Sequence, residues 1–382
     1  MTEELKSHEL VPEVEFREIR YETRPVFDRS GDPVEDLHQV WIWLDNERQL
    51  NSYTTQSVKE LILAFRRASM DRNAVAVVFT AVGERAFCTG GNTEEYATYY
   101  AGRPLEYLQY MRLFNDMVTA ILHCDKPVIC RVNGMRIAGG QEIGMACDFS
   151  VAGDHAFFGQ AGPIHGSAPD GGSTDFLDLF VGFGRAAESL ALCDRWSAHK
   201  AHRIGLVNEV APVYRDDGDY VPNPLVVTDR WVDSTGRIVY GNFKTAEEKA
   251  AAKERLAELR LDFGALDSAV DAMVTKLLHT FPDCTRKTIE SLRKKKLAHW
   301  MANSETNRSW LSLNMNTEAR AGFPAFHYGD RGEREIDFAE LRRRVARGEP
   351  FDREMIEGIL PPSARERLQE EEEETPAPEV TV

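Results

Sequence analysis

A chain of 382 residues, 42% hydrophobic and 28% charged, can bury a large core and fold as one large domain with an extension. Its formal net charge of −16 argues against nucleic acid or an anionic membrane as the main partner, because phosphate binding relies on a basic footprint. The six cysteines (Cys88, Cys124, Cys130, Cys147, Cys193, Cys284) form no CxxC pair, and the opening MTEELKSHELV carries no apolar leader. No run reaches the ~18 apolar residues of a membrane span. These features predict a cytoplasmic protein with mostly small, buried thiols.

In chain order, HQVWIWLDN (38–46) reads as a strand and TTQSVKELILAFRRASMD (54–71) as an amphipathic helix with a threonine cap. AVAVVFTAV (74–82) is a buried strand, PLEYLQYMRLFNDMVTAILHC (104–124) a long helix, and KPVICRVNG (126–134) another buried strand. Alternating strands and helices predict an α/β layered domain. From Gly184 the pattern is mostly helical, broken by a polar excursion rich in Pro, Asp and Gly over 212–242. Helical patterns resume at 244–260 and 265–281. The chain ends in EEEEETPAPEVTV (370–382), whose composition predicts disorder.

Three glycine-containing turns follow strands: AFCTGGNTEEY (86–96), VNGMRIAGGQEIGMACD (132–148) and FFGQAGPIHGSAPDGGSTDF (157–176). Glycine lets a ligand approach the main chain closely, and a helix starting at Gly139 or Gly140 would aim free N–H groups at it. Gly91 and Gly139 can thus supply two converging amide donors, the requirement of an oxyanion hole. Each pair taken alone is equally an ordinary tight turn.

The run KPVICRVNGMRIAGGQEIGMACDFSVAGDHAFFGQ (126–160) resembles the signature of the crotonase (enoyl-CoA hydratase/isomerase) superfamily, and SAHKAHRIGLVNEVAP (197–212) resembles that family's later helix-to-strand segment. The resemblance implies an α/β crotonase fold, a superhelical core of repeated ββα turns, with a C-terminal helical trimerisation region. It implies acyl-CoA thioester substrates, a homotrimer or homohexamer, and no cofactor beyond the CoA of the substrate. No nucleic acid, membrane or metal partner is expected. The expected divisions are an extension (1–36), the core (37–212), an insertion and linking helix (213–262), a helical region (263–362) and a disordered acidic tail (363–382).

Carried over residue by residue, the oxyanion amides fall on Gly91 and Gly139, and CoA contacts on Arg48, Gln49 and Leu50 of ERQLN, with Gly140 beside them. The first glutamate of the family's hydratases matches Glu142. The second should stand in a QPE context, but this chain reads QAG and leaves Gly162. FGQAGPIHGSAPDGG instead resembles the family branch of naphthoyl-CoA synthases and β-oxoacyl-CoA hydrolases, where an aspartate corresponds to Asp170. NTEARAGFPAFHYGD (316–330) resembles that branch's C-terminal segment.

The implied chemistry is a hydrolase of a cyclic enone thioester in anaerobic aromatic degradation, by hydration of a C=C bond and hydrolytic C–C cleavage. The alternatives are a C–C bond-forming cyclase and a plain hydratase. Glu142 is expected to serve the first water and Asp170 the ketone-attacking water or the α-carbon proton, with His165 as an alternative base. By sequence alone, Glu142 also fits a solvated helix charge and Asp170 a helix cap. The RKKK run (293–296) fits a solvated face or a cation meeting a CoA phosphate.

Overall fold

The computed structural model describes residues 5–374. With strands numbered along the chain, the main sheet runs β1 (Ile19–Phe27), β2 (Pro33–Leu44), β3 (Ala74–Ala81), β5 (Val128–Val132), β7 (Phe149–Gly153), β10 (Glu209–Ala211). All neighbours pair in parallel except β1, which lies antiparallel on β2. A second sheet runs β4 (Ala86–Cys88), β6 (Met135–Ile137), β8 (Phe157–Gly159), β9 (Trp196–Ser197). The pairs β3/β4, β5/β6 and β7/β8 each give one strand to either sheet, and this is the repeated ββα spiral expected from the sequence.

Helices fill the returns. α1 (Thr55–Met70) joins β2 to β3, and α2 (Thr93–Glu95) follows β4 and runs into a π-turn, Tyr96–Tyr100. α3 (Pro104–Leu122) leads to β5, α4 (Gly139–Ala146) joins β6 to β7, and α5 (Ser173–Val181), α6 (Phe183–Leu192) and α7 (Ala198–Arg203) precede β10. The predicted cap of α1 is present: the Ser57 N–H donates to Thr54 Oγ1 at 3.1 Å, and Ser57 Oγ accepts from the Thr54 N–H at 2.7 Å.

Both faces of the main sheet are covered, so its strands read as continuous apolar runs. Along β3, Val77 and Phe79 point into a core with Phe65, Val118 and Ile121 of α1 and α3. Ala76 and Val78 point the other way, onto α9 (Gly264–Leu278), which presents Leu266, Val270 and Val274 one turn apart. Each such side chain gains ~1.5–3 kcal/mol on full burial.

The predicted extension is in part a member of the sheet, since β1 lies within 1–36 and β2 begins there too. The excursion after Pro212 forms a small sheet, β12 (Asp219–Val221), β11 (Tyr214–Asp216), β13 (Arg260–Leu261), with α8 (Ala246–Leu256) before β13. Beyond α9 come α10 (Pro282–Asn314), α11 (Glu318–Tyr328), α12 (Phe338–Ala346) and α13 (Arg353–Ile359). The expectation of disorder from residue 363 is corrected over its first part: Pro362–Glu374 is helix α14, with Ala364 fully buried and Leu368 against a core of Ala325, Ile356 and Ile359. Two apolar anchors suffice to order a segment whose overall composition is acidic. Residues 375–382 lie outside the described residues. Among the described residues, no helix is long and apolar enough to cross a membrane.

Candidate active site

The three glycine turns meet at one cavity of about 470 Å³. Gly91 stands after β4, Gly139 opens α4, and residues from Gln160 to Gly171 follow β8; all three segments line the space. The Gly91 and Gly139 N–H groups have no protein acceptor among the described residues, leaving two donors free for a ligand. Aiming the second amide requires an unusual backbone, because Ala138 takes φ 52° and ψ −127°. Such a conformation costs ~1–3 kcal/mol and persists only where the surroundings enforce it. Here the Ala138 N–H donates to Gly159 O at 3.1 Å and Gln160 Nε2 donates to Ala138 O at 3.2 Å.

Glu142 sits one turn into α4, 6% exposed, facing the cavity. Its Oε1 accepts from the Gly171 N–H at 3.0 Å. A Cβ on Gly171 would fall 2.3 Å from Glu142 Oε2, so that glycine makes room for the carboxyl. Burial, reinforced by the charge of Asp170, pushes the Glu142 carboxyl up to about 8. A carboxyl at that value can take up and return a proton near neutral pH.

Gly162, where hydratases of the family would carry a second glutamate, also lines the cavity. A Cβ there would stand 2.7 Å from the Ser167 carbonyl oxygen, so no side chain fits without moving the loop. Asp170 is half-buried, and its Oδ1 accepts from Thr174 Oγ1 at 2.9 Å beside the start of α5. It is not among the residues lining the cavity, although Pro169 and Gly171 are. Burial raises its carboxyl.

His165 does line the cavity, against Phe326 of α11 at 4.4 Å, and neither ring nitrogen has a protein partner among the described residues. Burial, with the Arg195 charge, pushes it down to about 4, so it is neutral at pH 7.

Arg48, Gln49 and Leu50, the residues expected at CoA, line the cavity. Gly140 does not line it. A Cβ at that position would fall 2.1 Å from Cys88 O, so Gly140 serves the close packing of α4 on β4. The RKKK run is also corrected. Arg293 is buried and pairs with Asp148 at 2.5 Å, while Lys296 donates to the carbonyls of Met145 and Cys147 at the end of α4 at 2.8 and 2.7 Å. These two cations hold α4 from behind, leaving Lys294 and Lys295 exposed.

The remaining wall is aromatic and was missed in the sequence. Tyr53, Tyr96, Tyr107, Phe114 and Phe323 all line the cavity. Tyr96 Oη and Tyr110 Oη share a hydrogen bond of 2.8 Å, and Tyr96 packs on Phe323 of α11 at 4.9 Å. The signal available was the clustering of Tyr96, Tyr99, Tyr100, Tyr107 and Tyr110 directly after the first glycine turn.

The sequence pattern of the enoyl-CoA hydratase/isomerase family matches residues 40–281, and the chain belongs to that family. Within it, the 6-oxocyclohex-1-ene-1-carbonyl-CoA hydrolase of Thauera aromatica is 56% identical, over 94% of this chain and 95% of that protein. Proteins of the same name from Geobacter metallireducens and Syntrophus aciditrophicus are 56% and 48% identical, over 90% and 89% of this chain and 90% of each of theirs. Solved enoyl-CoA hydratases share the fold. That of Bacillus halodurans superposes with a TM-score of 0.58 at 16% identity, covering 81% of this chain and 100% of that one. One from Mycobacterium avium subsp. paratuberculosis gives 0.56 at 20% identity, covering 80% and 94%.

Proposed function

We propose that this chain hydrolyses 6-oxocyclohex-1-ene-1-carbonyl-CoA to 3-hydroxypimeloyl-CoA. The observation that carries the reading is a buried carboxyl, Glu142, lining the same cavity as two unpartnered amides, with the second acid position closed at Gly162. The relatives' shared name supports the same substrate.

The reaction consumes two waters. In the first step water adds to the ring carbon β to the thioester, its proton passes to the Glu142 carboxylate, and the C=C electron pair moves into an enolate shared by the thioester and ring-ketone oxygens. The Gly91 and Gly139 N–H groups hold the enolate oxygen, a contribution of about 3–4 kcal/mol per preorganised donor. Glu142 then returns the proton to the α-carbon. In the second step water attacks the ring ketone and the bond between the ketone carbon and the α-carbon breaks. Its electron pair forms the same kind of enolate, so one pair of amides serves both steps. Asp170 is assigned to the second water. Asp170 stands beside the cavity between Pro169 and Gly171, which line it, and His165, which lines it and is neutral at pH 7, is the alternative base.

This reading carries a homotrimer or homohexamer, supported by Trp310 and Leu313 of α10, which are 46% and 67% exposed. Sedimentation at micromolar concentration checks it, with a monomer as the contrary result.

Quenched reactions in heavy-oxygen water test the chemistry. The product should carry one heavy oxygen in the new hydroxyl and one in the new carboxylate. Glu142→Gln should leave the enone unconsumed, and Asp170→Asn should accumulate the hydrated, still cyclic thioester. An enone untouched by the parent enzyme would refute the proposal.

A further inference from the structure

We infer that the Tyr53 phenol is a third hydrogen-bond donor of this site, assigned to the ring ketone oxygen during C–C cleavage; the inference rests on the reaction proposed above.

Tyr53 is 3% exposed, lines the cavity and packs on Phe114 at 5.6 Å. Its backbone belongs to the first glycine turn: the Tyr53 N–H donates to Gly90 O at 3.0 Å and Tyr53 O accepts from the Asn92 N–H at 2.9 Å, bracketing Gly91. Its side chain reaches the second turn. A Cβ built on Gly139 would fall 1.8 Å from Tyr53 Oη, so the phenol oxygen rests against the Gly139 Cα. One residue therefore spans both amides. The neighbouring Tyr96 phenol is engaged with Tyr110, but Tyr53 Oη has no protein partner among the described residues. Its oxygen is not sealed inside the core but opens on the cavity, where a ligand acceptor can meet it. Burial also keeps the phenol protonated, well above its ordinary value, so its O–H is available to donate at neutral pH.

The substrate presents an acceptor in that place. Its ketone carbon is bonded to the α-carbon, which is bonded to the thioester carbonyl carbon. A donor for the ketone oxygen must therefore stand beside the amides that hold the thioester oxygen.

In the second step the water oxygen bonds to the ketone carbon while its proton goes to the base. The C=O pair moves onto the ketone oxygen, where the Tyr53 O–H donates to the developing charge. That pair then re-forms the C=O as the bond to the α-carbon breaks. The broken bond's electrons enter the enolate held by Gly91 and Gly139, the α-carbon takes the proton from that base, and the ketone carbon becomes a carboxylic acid that loses its own proton to solvent. The first step spreads its enolate charge over the thioester and ketone oxygens, because the α-carbon is bonded to both carbonyl carbons, whereas the second puts a full charge on the ketone oxygen, so ring opening should depend on Tyr53 more than hydration does.

Single-turnover reactions of Tyr53→Phe, quenched and separated by chromatography, test this. Enone hydration should slow about tenfold or less, and an unchanged melting curve reports the intact fold. Ring opening should slow about 100-fold, as when one oxyanion donor is lost, with accumulation of the cyclic hydroxy-oxo thioester. Tyr53→3-fluorotyrosine, which acidifies the phenol and keeps its shape, should change the ring-opening rate more than the hydration rate. Ring opening by Tyr53→Phe within threefold of the parent overturns the inference, as does an equal loss in both steps. A parent enzyme inert toward the cyclic enone removes the reaction reading, and this inference with it.

Discussion

Every residue of α4 is buried, whereas the excursion between β12 and α8 leaves Trp231, Val232 and Ile238 more than half exposed. Around α4 each neighbour is fitted to one atom: Gly140 to the Cys88 carbonyl, Gly171 to the Glu142 carboxyl, Gly139 to the Tyr53 phenol. The excursion hangs on a few polar anchors. Asp154 accepts from the Val213 N–H at 3.3 Å and the Asn223 N–H at 2.9 Å, and the Ser197 hydroxyl donates to Gly241 O. The contrast separates precision from attachment. Chemistry sits where no atom can move independently, and a surface addition needs only to be tethered.

Four substitutions probe that contrast. Gly139→Val should have the largest effect, a turnover loss of about 1,000-fold or more, because it crowds the phenol and the substrate at the amide. Near-parent turnover, measured beside an unchanged melting curve, would remove Gly139 from the site. Arg293→Met leaves the buried Asp148 carboxylate unpaired behind α4 and should cost ~3–5 kcal/mol in chemical denaturation. A loss under 1 kcal/mol would show that α4 is held by packing alone.

Glu142→Gln should lower turnover at least ~100-fold, and its stability should carry a pH signature. The carboxyl sits near 8 in the fold against an ordinary 4.5. Below pH 4.5 it is protonated in both states. As pH rises from there to about 8, the unfolded chain loses the proton while the folded one keeps it, and the parent loses stability relative to the glutamine variant. Melting midpoints that differ by the same amount at pH 5 and pH 8 would contradict this. The smallest effect is expected at the tether: Asp154→Ala should cost ~1–3 kcal/mol with turnover within twofold of the parent. A large loss of turnover would tie the excursion to the site.

Local signals carried much of this architecture. The Thr54 cap, the buried strands and the glycine turns that bear Gly91 and Gly139 are legible because each depends on neighbours within one element. Other features depend on partners distant in sequence. Nothing near Arg293 reveals that Asp148 waits 145 residues earlier, so a run of four basic residues reads as a surface. Tyr53 adjoins a helix cap, and its contact with Gly139 exists only once two glycine turns close on each other. Tail composition likewise does not disclose that Ala364 and Leu368 find a core.

Gly162 bears on how such enzymes diverge. Because the Ser167 carbonyl occupies the space a side chain would enter, restoring the hydratase glutamate by Gly162→Glu would not recover hydratase chemistry; the whole 162–168 loop would have to be exchanged. A single substitution at Gly162 therefore meets the loop backbone before it can add a second acid to the cavity. Recombination or loop replacement remains open, and a library built on point changes at this site would search the wrong space.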